Sequence, residues 1–378
     1  MMNPRTKIQS LFDHAGITLD GDASHDIAIH DERALEAWIS NQTLGFGESF
    51  MKGWWSSKQL DETIFRLVSN RQSILSAAGF DFPLAWFALK TRFTNRQSVS
   101  RSKTVGLKHY DLGNHLFETM LDPYMQYSCG YWERGATELD QAQTDKLRLI
   151  GDKLMLSDNM RVLDIGCGWG GLADFLSREF NVQVVGITIS SEQQKYAQKR
   201  FGSDRVKFLL EDYRKFNDKP FDRIVSVGML EHVGYKNYKS YFQTVFRLLQ
   251  NDGLALIHSI GDSVTDTKAD PWLDRYIFPN GMLPSMAQIA KAIPEPYVIE
   301  DWHNFGTNYD KTLMAWHARF QQAWPELKTE LELDENFRLM WEYYLLASAG
   351  NFRSRKSAQL WQFVLGKSGR LGGYVAPR

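Results

Sequence analysis

The chain has 378 residues, 43% of them hydrophobic, and a formal net charge of −1: room for about two or three domains with a sizeable core, and no global field that would gather nucleic acid. Its two cysteines, Cys129 and Cys167, share no CxxC spacing and no clustered histidines accompany them, which excludes a disulfide framework and leaves no metal site expected. The opening Met1-Met2-Asn3-Pro4-Arg5 lacks an apolar signal core and no run approaches the length of a membrane span, so the chain reads as cytoplasmic, with any membrane contact peripheral.

There is no internal repeat and no low-complexity block. In the first segment, Ile27-Ala28-Ile29 predicts a short strand. Leu60, Ile64, Leu67 and Val68 fall at i, i+4, i+7 and i+8, one face of a helix. The stretch 45–55 (Gly45, Phe46, Gly47, Phe50, Gly53, Trp54, Trp55) reads as an unusually aromatic loop, its rings serving either core packing or a lipid contact. Residues 74–93 are apolar and then turn basic, the composition of an interfacial segment or of a packed helix–linker junction. Six basic residues and no acid lie between 84 and 110 (Lys90, Arg92, Arg96, Arg101, Lys103, Lys108), and Arg353, Arg355, Lys356, Lys367, Arg370 and Arg378 follow Glu342 without an acid. Such segments either attract anionic lipid or are solvated linker and tail. The boundaries expected are an N-terminal domain at 1–93, a basic linker at 94–108 and a catalytic domain at 109–378.

From residue 160 strand and helix patterns alternate. Strands are expected at 160–165, 183–189, 206–210, 221–227, 253–260 and 360–365, with helices at 171–180, 191–201 and 237–250. Leu147, Ile150 and Leu154 mark a helix before the first strand. This alternation implies an α/β fold with a doubly wound parallel sheet and a ligand at the carboxyl ends of its strands. The stretch from about 262 to 350, rich in Trp, Phe and Met with little strand pattern, is expected to form a helical cap.

The first of these strands runs into a glycine turn, Val162-Leu163-Asp164-Ile165-Gly166-Cys167-Gly168-Trp169-Gly170-Gly171. Glycines at such a turn allow positive φ and close approach of a ligand to the backbone. The spacing is not the dinucleotide Gly-x-Gly-x-x-Gly, and the second strand ends at Thr188, with Gln193 one helical turn on, where a dinucleotide fold carries an acid. The pattern resembles motif I of S-adenosylmethionine (SAM)-dependent methyltransferases. Asp212 and Tyr213, after the third strand, are placed to bracket an adenine. Thr and Gln near a helix start are also ordinary caps.

Further motifs accompany the loop: His109-Tyr110-Asp111-Leu112-Gly113-Asn114, Tyr127-Ser128-Cys129-Gly130-Tyr131-Trp132, Gly228-Met229-Leu230-Glu231-His232-Val233-Gly234, Tyr276-Ile277-Phe278-Pro279-Asn280-Gly281 and Asp301-Trp302-His303-Asn304-Phe305-Gly306. In this order, over essentially the whole chain, they closely resemble the bacterial cyclopropane fatty acid synthase family. The resemblance implies a Rossmann-like methyltransferase sheet with a helical cap, plus a small N-terminal α+β domain that binds lipid. It implies transfer of a methyl group from SAM to the cis double bond of an unsaturated phospholipid acyl chain, and then proton loss as a cyclopropane ring closes. An alkene is a weak nucleophile and the carbocation it leaves is quenched by water, so the pocket must be dry. Tyr110, Tyr127 and Trp169 are candidate aromatic faces for that cation.

The resemblance also supplies the base: bicarbonate, held by Cys129, Glu231, His258, Ile260 and Tyr309. Its SAM site maps to Tyr127, Ser128, Asp164, Gly166, Gly168, Gly170, Thr188, Gln193, Asp212 and Tyr213. In this reading His258 and the Tyr309 hydroxyl donate to the anion, the backbone N–H groups of Cys129 and Ile260 help, and Glu231 orients and charges His258. Read singly, Cys129 is also a small buried residue, His258 a core histidine, Glu231 a helix cap and Tyr309 a packing residue. The resemblance further implies a homodimer lying peripherally at the inner membrane surface. The alternatives are a related SAM enzyme that makes methyl-branched acyl chains or methylates a small amine, and a non-catalytic lipid-binding protein with a vestigial cofactor fold.

Overall fold

The computed structural model describes residues 3–78, 113–266, 269–369 and 372–378. The expected basic linker, Tyr110 and most of the apolar 74–93 stretch lie outside them. The chain divides into two compact units, one comprising Met1–Asn95, Lys268–Pro279 and Tyr309–Ala358, the other Arg96–Thr267, Asn280–Asn308 and Gln359–Arg378.

In the first unit the expected short strand is β1, Ala28–Ile29, paired antiparallel with β2, Trp55–Ser56. The helix marked by Leu60 and Ile64 spans Leu60–Ser69 and buries both residues. The aromatic stretch 45–55 differs from expectation: residues up to Met51 are the second half of a helix, Arg33–Met51, broken by the non-helical backbone of Gln42. Glycines gave it the look of a loop, yet Gly47 is needed for packing, because a Cβ there would come within 2.4 Å of the Trp272 ring. Of its aromatic residues Phe50 and Trp55 are buried and Phe46 and Trp54 half-buried; Trp55 meets Trp38 edge-to-face at 5.7 Å, and Trp55 Nε1 donates to the Phe46 carbonyl at 3.0 Å. Helix Glu335–Ser354 belongs to this unit as well, and its Arg353 binds Asp310 through two nitrogens, each at 2.9 Å, and Asp61 at 2.6 Å.

The second unit holds a seven-stranded sheet in the order β5-β4-β3-β6-β7-β9-β8. Its strands are β3 (Arg161–Ile165), β4 (Gln183–Thr188), β5 (Val206–Leu210), β6 (Phe221–Val227), β7 (Leu249–Asp262), β8 (Val298–Asn304) and β9 (Ala358–Gly366). The pairs β5–β4, β4–β3, β3–β6 and β6–β7 are parallel. Apart from the edge strand β5, whose Lys207, Leu209 and Leu210 are exposed, these strands read as near-continuous apolar runs because both faces are covered. Alternate residues serve opposite faces: Leu163, Ile165, Ile224 and Ile257 join one core with Phe242 and Phe363. Val162, Val184, Val225 and Leu256 join the other with Leu147, Phe175 and Leu176. Helices Gly171–Phe180, Ser191–Phe201 and Tyr238–Leu248 sit where the pattern placed them. Helix Leu139–Lys153 precedes β3.

One element of the expected cap is instead a strand. β8 pairs antiparallel with β9 at the sheet edge. Its buried positions are Asp301 and His303, whose polarity is matched by ion pairing and not by apolar packing: Lys153 lies 2.9 Å from Asp301 with both side chains buried, and Arg378 bridges both oxygens of Asp301 at 2.7 and 2.9 Å. With Lys367 donating to the Leu249 carbonyl and Arg353 in its carboxylate cluster, three basic residues of the tail are engaged within the protein.

Candidate active site

The parallel register aligns the carboxyl ends of β3, β4, β5, β6 and β7 along one edge, and the turns that leave them carry most of the expected residues. At β3 the loop glycines Gly166, Gly168 and Gly170 all have positive φ (82°, 55° and 89°). The loop is anchored by Gly166 and Cys167 N–H groups donating to the Ile187 carbonyl at 2.9 and 3.1 Å. Gly170 is the N-cap of helix Gly171–Phe180 and supplies no side-chain cap, so the helix start offers bare N–H groups with a positive dipole end. A Cβ on Gly168 would meet nothing within 4 Å.

Asp164, near the end of β3, is buried, and its Oδ2 has no hydrogen-bond partner among the described residues. Burial pushes its carboxyl up to about 7, against the pull of the Lys146 ammonium. Thr188 and Gln193 are buried and joined at 3.2 Å. Ser190 caps the helix that carries Gln193. Burial works to raise the Asp212 carboxyl, but the Arg214 guanidinium, bound through two nitrogens, holds it below its ordinary value. Tyr213 packs edge-to-face on Tyr241 at 5.5 Å, and burial pushes its hydroxyl up to about 12. Over the loop, Trp169 donates to Asn114 at 2.9 Å and touches Phe117, which in turn packs on Tyr127. Glycine cradle, bare helix terminus and unpaired Asp164 fit SAM, which carries an ammonium, a carboxylate and a ribose.

The other residues lie at the ends of β6 and β7. Glu231 lies in the short helix Leu230–Val233 that follows β6. Its Oε1 accepts the Ile260 N–H at 2.6 Å, while Oε2 has no partner among the described residues. Burial pushes this carboxyl up to about 7. Two expectations change here. The Ile260 N–H, expected to face an anion, is taken by Glu231. Glu231 in turn does not partner His258, whose Nδ1 lies 3.3 Å from Gln362 Nε2 on β9. His258 is fully buried and packs edge-to-face on Phe305 at 5.7 Å. Desolvation, reinforced by Lys146 and Lys153, holds its pKa well below the usual range, so the ring is neutral. His258 Nε2 is unpartnered among the described residues, like Glu231 Oε2. A neutral histidine and a half-ionised carboxyl, each with unused hydrogen-bonding capacity in a buried site, fit a small oxyanion able to donate and accept.

Cys129 is buried, its thiol on the Gly130 carbonyl at 3.2 Å. Tyr309 belongs to the first unit, where its ring stacks on Phe352 at 4.4 Å. Sequence reasoning missed Lys146. This fully buried lysine donates to Ser128 Oγ at 3.0 Å and to Gln126 Oε1 at 2.5 Å, and desolvation pushes its pKa down to about 8. It ties the Gln126–Ser128 turn to helix Leu139–Lys153, and its charge acts on both Asp164 and His258. Gln362 was missed as well. Neither has a motif, because their partners lie 18 to 104 positions away.

A family model described as mycolic acid cyclopropane synthetase matches residues 97–363. The chain is 48% identical over 366 residues to the cyclopropane-fatty-acyl-phospholipid synthase of Escherichia coli K12, covering 97% of this chain and 94% of that protein. It is similar in structure to the cyclopropane synthase MmaA2 of Mycobacterium tuberculosis (TM-score 0.65, 30% identity, 70% of this chain and 98% of that one). A mycolic acid cyclopropane synthase, CmaA1, solved in complex with SAH and CTAB, gives a TM-score of 0.64 at 31% identity, again over 70% and 98%.

Proposed function

Because the chain belongs to the mycolic acid cyclopropane synthetase family and is thus a SAM-dependent methyltransferase acting on lipid, we propose that it converts cis-unsaturated acyl chains of membrane phospholipids into cyclopropane chains. The observation that carries the ring-forming reading is the pair of buried, unpartnered atoms, His258 Nε2 and Glu231 Oε2, at strand ends beside the cofactor loop. Ring closure removes a proton from the transferred carbon itself, so it needs an acceptor held beside that carbon.

SAM, when bound, supplies the electrophilic methyl. The glycine loop and helix start hold its polar end, and Asp164 is placed to take its ammonium. Lys146 keeps Asp164 more ionised than burial alone would allow, and through Ser128 it fixes the Tyr127–Cys129 turn. Water would trap the substrate cation, so the reaction requires a dry pocket. Bicarbonate, when bound, supplies the base. His258 holds it by a ring nitrogen, and Glu231 locks the Ile260 turn that sets the position of His258. Phospholipid as substrate, peripheral contact with the membrane, dimerisation and an N-terminal lipid-binding domain at 1–93 belong to the same proposal. Similarity over nearly the full length to a phospholipid synthase supports the phospholipid substrate. Among the described residues no helix is long and apolar enough to cross a membrane.

The test incubates purified protein and SAM with vesicles of a cis-unsaturated phospholipid, with bicarbonate removed and then restored. Acyl chains one CH2 heavier and without a double bond, formed only on restoration, are expected. Unchanged lipid overturns the substrate assignment, and equal product without bicarbonate overturns the base.

A further inference from the structure

The partner of His258 defines what that ring can do. Gln362 lies on β9, next to β7 in the sheet, fully buried and opposite His303 of β8 in register. Its amide Nε2 lies 3.3 Å from His258 Nδ1, while Gln362 Oε1 and His258 Nε2 have no partner among the described residues. With the amide in this orientation its nitrogen can only donate, so Nδ1 accepts. A neutral imidazole carries one proton, which must then sit on Nε2.

We propose that Gln362 is a positioning residue that fixes His258 as the Nε2–H tautomer, making the ring a hydrogen-bond donor to the reaction's anion and not the proton acceptor. A carboxylate at this place would do the reverse: it would draw the proton to Nδ1 and leave Nε2 a basic lone pair, as in hydrolases where histidine is the general base. Here Glu231, the carboxylate expected to partner this histidine, accepts from the Ile260 N–H instead. Phe305, edge-to-face at 5.7 Å, restricts the ring plane, and the cationic Lys146 and Lys153 disfavour a second proton on the ring. The role for the donor rests on the oxyanion reading above, but the tautomer does not.

Long-range 1H–15N correlation spectra of the full-length protein with 15N-labelled histidine separate protonated from bare ring nitrogens, with His258 assigned by its loss in His258→Gln. The wild type, without lipid or bicarbonate, should show His258 neutral at pH 7 with the proton on Nε2. Gln362→Met, of similar size and uncharged, should show mixed tautomers. It should also lower kcat about tenfold, roughly the worth of one orienting hydrogen bond, with KM for SAM unchanged. A proton on Nδ1 in the wild type, or an unaltered tautomer in Gln362→Met, overturns the inference. Because the spectra need no turnover, failure of the ring-forming reading would appear separately, as unchanged lipid in the vesicle assay.

Discussion

Replacing Glu231 by glutamine separates the charge of this side chain from its shape. Burial raises the carboxyl from 4.5 to about 7 in the folded protein. A group raised in this way contributes its full stability below the unfolded value, and that contribution is lost as pH climbs through the folded one. At 1.36 kcal/mol per unit, the ionised carboxylate costs about 3 kcal/mol at pH 8.5, and this figure already includes the hydrogen bond from Ile260 that partly offsets desolvation. Glutamine retains an oxygen for the Ile260 N–H and has no charge to bury. Glu231→Gln should therefore exceed the wild type by less than about 1 kcal/mol at pH 5 and by about 3 kcal/mol at pH 8.5, an upward Tm shift of several degrees. Turnover should fall far more than SAM affinity. Thermal unfolding at the two pH values, with calorimetric titration of SAM, reads both. A variant less stable than wild type at pH 8.5, or a difference independent of pH, would refute the reasoning. Equal loss of turnover and SAM affinity would assign Glu231 a structural role only.

Gly168→Ala should fold with a penalty of about 1–2 kcal/mol from its positive φ, since its Cβ meets no protein atom within 4 Å; SAM binding, read by calorimetry, should be lost because the methyl enters the cradle. Lys146→Met removes the cation that lowers Asp164, so Asp164 becomes neutral near pH 7. SAM affinity should drop about tenfold, roughly one charge-assisted hydrogen bond, and recover toward pH 9. A loss that does not depend on pH would mean that Lys146 acts only by holding Ser128.

What could be read from the sequence follows from where the physics is local. The inner parallel strands show as apolar runs because both faces are covered, and the glycine loop shows because its backbone angles demand glycine. β8 was hidden because it is an edge strand whose buried positions, Asp301 and His303, are polar and matched by Lys153 and Arg378, far away in sequence. The helical half of the 45–55 stretch was hidden because glycine there serves close packing on Trp272. In the site, Glu231 and His258 were found through the family resemblance, but their partners, Ile260 for the one and Gln362 for the other, depend on the pairing of distant strands. Lys146 looks like any surface lysine until helix Leu139–Lys153 is laid against the turn carrying Ser128.

Ring formation is tested most directly with SAM bearing a CD3 methyl group and a cis-monounsaturated phospholipid in vesicles, the acyl product being analysed by mass spectrometry. Transfer followed by proton removal predicts a saturated-ring chain that keeps two of the three deuterons, the third leaving with the base. A product keeping all three on a methyl branch, or a double bond still present, would contradict the account.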